Sequence, residues 1–163
     1  DFENLALASF FAELTESVAE EGSPAPELLR LLLNALYALA KLKKPPRLVK
    51  AATELRLAAI AGYQPELSGC CVCGREDPDR FSIADGTLEC AGCRASDGVR
   101  MPLSPASLAA MWYIVSCPDK KLFSFTLTGA AEKELCDAAE SYLLTQLERS
   151  FYTLDFYKSL LVE

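Results

Sequence analysis

Two cysteine pairs constrain this chain more than any other feature: Cys70-Cys71-Val72-Cys73 and Cys90-Ala91-Gly92-Cys93, 16 residues apart in a sequence with no histidine. Each C-x₂-C turn sets two sulfurs on one side of a tight bend, and folding one bend onto the other makes a four-thiolate cage. The intervening segment reads as a hairpin. Phe81-Ser82-Ile83 and Thr87-Leu88-Glu89 are short strands, and Asp85-Gly86 supplies the positive φ angles of a two-residue turn. The predicted ligands are Cys70, Cys73, Cys90 and Cys93, around a structural zinc ion. Cys71 competes with Cys70, but Cys71-Val72-Cys73 is one residue short of the usual turn. Iron accepts the same donors, so the ion stays open between the two metals.

A closed four-thiolate site leaves no position for a reacting water; it holds structure together. Metal binding of this kind is worth on the order of 10–16 kcal/mol in small peptides and is inseparable from folding. Residues 67–101 carry too few large apolar side chains for a core of their own, and the metal replaces that core. The competing readings are four unligated buried cysteines and a thioredoxin-like pair, but no βαβ pattern surrounds either turn. Cys117 and Cys136 lie near or on apolar helix faces and read as buried filler.

Seven cysteines, an odd number with four in metal spacing, point to a reducing cytosol rather than a disulfide framework. A chain of 163 residues with 51% hydrophobic content has enough apolar material for one domain with an ordinary core. The most apolar stretch, 28–42, is too short to span a bilayer, and no signal peptide is visible. Sixteen basic and 23 acidic residues give a formal charge of −7. A zinc ion with four thiolates takes this to about −9 (+2 − 4 added), a poor balance for gripping phosphate backbones. The chain opens on Asp1 with no initiator methionine, so a piece of a longer protein is expected.

Helical spacing recurs through the rest. Leu7, Phe10, Phe11, Leu14 and Val18 define an amphipathic helix to about residue 20. A second helix, about 25–43, opens on Pro26-Glu27 and is apolar on nearly every side, which predicts a central position. Pro45-Pro46 breaks it, and a third runs about 47–61 with Gly62 as its C-terminal stop. After the knuckle, Ser104-Pro105 caps a helix ending at Cys117-Pro118. Phe123, Phe125 and Leu127 form a short extended run, Thr128 caps a helix over about 129–149, and the tail 151–161 packs back on the bundle. The predicted fold is an all-α helical bundle with an inserted four-cysteine zinc-finger β-hairpin. Its divisions are 1–66 (three helices), 67–101 (knuckle) and 102–163 (second part of the bundle).

That order of parts resembles the C-terminal portion of the bacterial RecO recombination mediators. The resemblance is carried by Glu54-Leu55-Arg56-Leu57, Gly62-Tyr63, Pro65-Glu66-Leu67, Cys70, Cys73-Gly74, Phe81-Ser82, Gly86, Cys90, Cys93 and Leu103-Ser104. A looser closing segment, Ser150 to Phe156, completes it. RecO proteins begin with an oligonucleotide-binding barrel, which is not in this sequence. The resemblance implies a protein that is not an enzyme and that binds single-stranded DNA mainly through that barrel. It also implies contacts with the C-terminal tail of the single-strand-binding protein SSB and with RecR, loading of RecA, and a cytoplasmic location without membrane attachment. Some members lack the cysteines, so the metal is not the family's shared chemistry.

One basic cluster stands out: Lys41, Lys43, Lys44, Arg47 and Lys50, with Arg56 on the same predicted helix. It reads either as a solvated helix junction or as a receptor for an acidic tail ending in an apolar residue, with Lys43, Lys44, Arg47, Lys50 and Arg56 as contacts. Arg94 and Arg100 flank the second cysteine turn, but the surrounding acids would repel phosphate, so a solvated knuckle is expected over a stand-alone zinc-ribbon nucleic-acid binder. Without histidine there is no Ser-His-Asp or Cys-His apparatus, and Glu132, Glu134, Asp137 and Glu140 are spaced like a wet helix face.

Overall fold

The computed structural model describes residues 1–162. Helices α1 (Phe2–Val18), α2 (Pro26–Lys41) and α3 (Pro46–Ile60) come first. Strands β1 (Glu66–Cys70), β2 (Arg80–Ser82), β3 (Thr87–Glu89) and β4 (Arg100–Pro102) follow. Then come α4 (Pro105–Ser116), a 3₁₀ turn at Asp119–Lys121, α5 (Gly129–Leu147) and α6 (Tyr152–Leu160).

An all-α bundle with a simple hairpin is not what forms. The described residues include a four-stranded mixed sheet in the order β1-β3-β2-β4, with β1 parallel to β3 and the other pairs antiparallel. The hairpin is real, but Ser82 pairs with Thr87, so its turn takes four residues, 83–86, rather than Asp85-Gly86 alone. Gly86 closes that turn at φ +67°, its amide bonded to Ser82 O at 2.9 Å. The two added strands had no legible pattern. β1 contains Gly69 and a ligand, β4 contains a proline, and each is held by pairing with a distant segment rather than by alternation.

The helical body reverses the expected roles of α2 and α3. The central helix is α3: every residue from Leu48 to Ala58 is buried, including Lys50, Thr53, Glu54 and Arg56. It packs against α1, α2, α4 and α5. Ala51, Ala52 and Ala58 let neighbouring backbones approach from several sides, and its charges find partners inside. By contrast, α2 buries Leu28, Leu31, Ala35, Ala38 and Leu39 and leaves Leu29, Leu33 and Tyr37 more than half exposed. Leucine content gave a false picture of burial because a helix needs partners on every side to use it.

The terminators follow local chemistry. Ser104 Oγ accepts from the Ser107 amide, as its position before Pro105 predicts. Gly62, at φ +100°, follows the last turn of α3, and the amides of Gly62 and Tyr63 reach Ala59 O and Ala58 O in a Schellman arrangement. Thr128 precedes α5 without a side-chain cap bond. The Phe123–Leu127 run pairs with no strand; it packs Phe123 and, in part, Phe125 and Leu127 against the core. The tail does return: Phe151 meets Phe10 edge-on at 5.7 Å between ring centroids, and Thr153 Oγ1 donates to Glu13 at 2.8 Å.

Candidate metal centre and the basic cluster

The parallel pairing of β1 with β3 explains how the two cysteine turns meet. Adjacent parallel strands end at the same edge of a sheet. Cys70 ends β1, Cys90 follows the last residue of β3, and Cys70 is in register with Leu88. Each turn then doubles back, with Gly74 N bonded to Cys70 O at 2.9 Å and Cys93 N to Cys90 O at 3.0 Å. The Sγ atoms of Cys70, Cys73, Cys90 and Cys93 all lie within 4.8 Å of one another. A four-thiolate tetrahedron with bonds of about 2.3 Å has sulfur–sulfur edges of about 3.8 Å, and Cys73 Sγ is 3.7 Å from Cys90 Sγ. The donor set fits one ion. Cys71 stays outside it: its side chain is exposed and its amide donates to Leu88 O.

The four sulfurs are not equivalent. Amide donation, first from Cys73, pulls the Cys70 thiol down to about 6. Cys90 is pushed up to about 12, first by desolvation and then by its bond with Cys73. Cys93 is raised as well, chiefly by its contact with Cys73. Cys70 is thus the more readily ionised sulfur, while Cys90 and Cys93 hold protons that a bound cation would expel.

Arg100 organises the second turn. Its guanidinium reaches the carbonyls of Cys90, Cys93 and Ala91, each at 3.3 Å, and Glu89 Oε2 at 3.2 Å. The Glu89 side chain is fully buried and also accepts from the Ala95 amide. Arg94 donates to Ser96 O and Gly98 O. Both arginines flanking the second cysteine turn are thus engaged by the knuckle's own groups. The reading by spacing treated Glu89 as one more repelling acid; only the fold shows it clamping Arg100.

The knuckle is joined to the helices at several points. Trp112 Nε1 donates to Leu67 O at 3.1 Å, Gln146 Nε2 donates to Ile83 O at 3.0 Å, and Phe81 packs against Tyr142. Tyr142 Oη donates to Tyr63 O at 2.6 Å and closes over Gly86, where an added Cβ would sit 2.8 Å from that oxygen.

The basic cluster does not stay together. Lys50 is buried, and its ammonium bonds Glu54 Oε2 at 3.1 Å and Glu140 Oε1 at 2.9 Å; Lys158 of α6 takes the other oxygen of Glu140 at 3.0 Å. Burial pulls the Lys50 ammonium down, but Glu54 and Glu140 outweigh it and hold it above its ordinary value. Burial pushes Glu54 up to about 7, with Lys50 opposing. Arg56 is also internal, donating to Ile114 O, Cys117 O and Asp119. Arg47 is exposed but paired with Glu132 at 2.8 Å. Lys43 is exposed, and Lys44 rims a shallow notch lined by Leu48, Val49, Phe123 and Phe125. Nor is the acidic face of α5 merely wet: Glu132 and Glu140 hold these cations, and Glu134 accepts from Ser104 N and Ser107 Oγ. Cys136 and Cys117 pack against the core but are half-buried rather than buried filler: Arg56 reaches Cys117 Sγ at 3.1 Å, Cys136 Sγ donates to Arg47 O at 3.6 Å, and burial pushes the Cys136 thiol up to about 11.

The class defined by this fold and site is a helical body with a firmly docked knuckle whose four clustered cysteines could hold a metal ion. Residues 1–155 match the family described as Recombination protein O C terminal, and the chain belongs to that family. It is 33% identical over 162 residues to the DNA repair protein RecO of Acetivibrio thermocellus and 34% identical over 164 residues to that of Desulforudis audaxviator. In both comparisons 98% of this chain and 64% of the relative are covered. The RecO protein of Roseiflexus sp. is 30% identical over 159 residues, 96% of this chain and 56% of the relative. The chain thus spans between 56% and 64% of the length of these relatives. No helix among the described residues is long and apolar enough to cross a membrane.

Proposed function

We propose that this chain is the helical, zinc-holding part of a RecO-type recombination mediator that works by binding partners rather than by catalysis. The match of residues 1–155 to the RecO C-terminal family carries this reading. In it, the four cysteines hold zinc, whose four thiolates fill the tetrahedron and cross-link the ends of β1 and β3. The body presents contacts for the SSB tail and RecR, and so assists RecA loading on single-stranded DNA during recombinational repair. It does so in the cytoplasm, at the nucleoid while repair proceeds, with DNA held mainly by a barrel outside this chain.

The tail contact is placed at the α2–α3 junction. Lys43 and Arg47 supply exposed charge there, half-buried Lys44 adds to it, and the small notch lined by Leu48 and Phe125 lies beside Lys44. An acidic peptide with an apolar end complements such a surface. Lys50 and Arg56 act from within, holding α3 in place. Titration of a fluorescent SSB-tail peptide tests the site. Lys43→Glu with Lys44→Glu is expected to weaken binding about tenfold or more, roughly 1.4 kcal/mol per decade. Unchanged affinity removes this surface as the receptor, and failure of the unsubstituted chain to bind the peptide or RecR removes the partner role.

A further inference from the structure

The outward face of α2 is an apolar seam whose centre is left uncovered among the described residues. Leu29, Leu33 and Tyr37 are 56%, 56% and 58% exposed, and Leu32 and Leu36 beside them are half-buried. These positions follow i, i+3, i+4, i+7, i+8, the spacing of a helix face that packs on another helix. The small residues Pro26 and Ala40 continue the seam at its two ends.

We propose that this seam is a homotypic interface, in which α2 packs antiparallel on α2 of a second copy about a two-fold axis at Leu33. That register makes the surface self-complementary, as an isologous contact requires. Leu33 meets its own symmetry mate, and Leu29 meets Tyr37 of the partner subunit. Charge argues for a second copy over any other occupant. Glu27 stands in the first turn of α2 and Lys41 in the last, and among the described residues neither makes an ion pair. Both project on the same flank of the seam, since 14 residues is close to four helical turns. Antiparallel helices bring like flanks together, so each Glu27 falls beside Lys41 of the partner subunit, twice by symmetry. The helix dipoles also oppose each other in this arrangement. A contact built on one helix of 16 residues, about 24 Å long, is small. It makes a reversible, concentration-dependent dimer.

Sedimentation equilibrium of the whole metal-loaded chain over a wide concentration range tests this. A monomer–dimer equilibrium is expected. Leu33→Glu should raise the dissociation constant about tenfold or more, with an unchanged circular dichroism spectrum because Leu33 is exposed. Glu27→Lys and Lys41→Glu should each weaken association, and the two together should restore it. Thermal stability should move the other way, since each reversal opposes the dipole of α2 and the double variant opposes it at both ends. A chain that stays monomeric at every concentration overturns the proposal. So does a dimer indifferent to Leu33→Glu, or a double charge variant that associates no better than the singles. A longer form of the protein that is monomeric while α2 is protected from hydrogen exchange also overturns it, and assigns the seam to another segment.

Discussion

Replacing Lys50 by methionine is expected to be among the costliest single changes in the helical body. Methionine preserves the length of the side chain, so packing is nearly retained and the charge alone is lost. What remains is Glu54, fully buried, with no cation in contact, and Glu140 with only Lys158. Removing one member of a buried ion pair costs about 3–5 kcal/mol, because the survivor is left charged and desolvated. Against a total stability of about 5–15 kcal/mol, that is a large fraction. The loss should depend on pH. Without Lys50 the Glu54 carboxyl climbs above its present value of about 7 and relieves itself by taking a proton. Urea denaturation in zinc-containing buffer should therefore show a larger deficit at pH 8 than at pH 6. Adding Glu54→Gln to the lysine variant should recover much of the loss. A deficit below about 1 kcal/mol at pH 8, the size of an exposed ion pair, would refute the reasoning and return Lys50 to the solvent-facing cluster. A deficit that grows as pH falls would refute it too.

In the unsubstituted protein the same carboxyl gives a pH slope. Glu54 is raised from 4.5 to about 7 on folding, so between these values the folded chain binds more protons and stability falls as pH rises, by about 3 kcal/mol at most. Glu54→Gln should flatten that part of the profile in a pH series of denaturation midpoints. Cys70→Ser should abolish stoichiometric metal in elemental analysis and loosen the knuckle, whereas Cys71→Ser should keep both, and equal metal content in the two variants would contradict the ligand assignment. Gly86→Ala must hold φ +67° and push its Cβ to 2.8 Å from Tyr142 Oη. The expected cost is about 2–4 kcal/mol, and Tyr142→Phe in the same chain should return part of it in thermal denaturation.

Spacing alone was enough for the knuckle. A C-x₂-C pair dictates its own turn and two pairs dictate a cage, so the gathering of the Cys70, Cys73, Cys90 and Cys93 sulfurs was legible before any fold was known, with Cys71 as the one competitor. The helices were legible for a similar reason: caps, prolines and apolar periodicity act within one or two turns, and the observed bounds fall within a few residues of those expected. What the chain's order of residues could not disclose was anything decided between distant segments. β1 and β4 exist as strands only because β3 and β2 lie beside them. Lys50 and Arg56 look like surface cations in one dimension, and they are interior groups because Glu140, Asp119 and two carbonyls converge on them from other elements, with Glu54 one turn along α3 completing the Lys50 pair. The seven leucines of α2 promised a central helix, yet alanine-rich α3 took that place. Burial is set by how closely neighbours can approach, and that is a property of the assembled body rather than of any one helix.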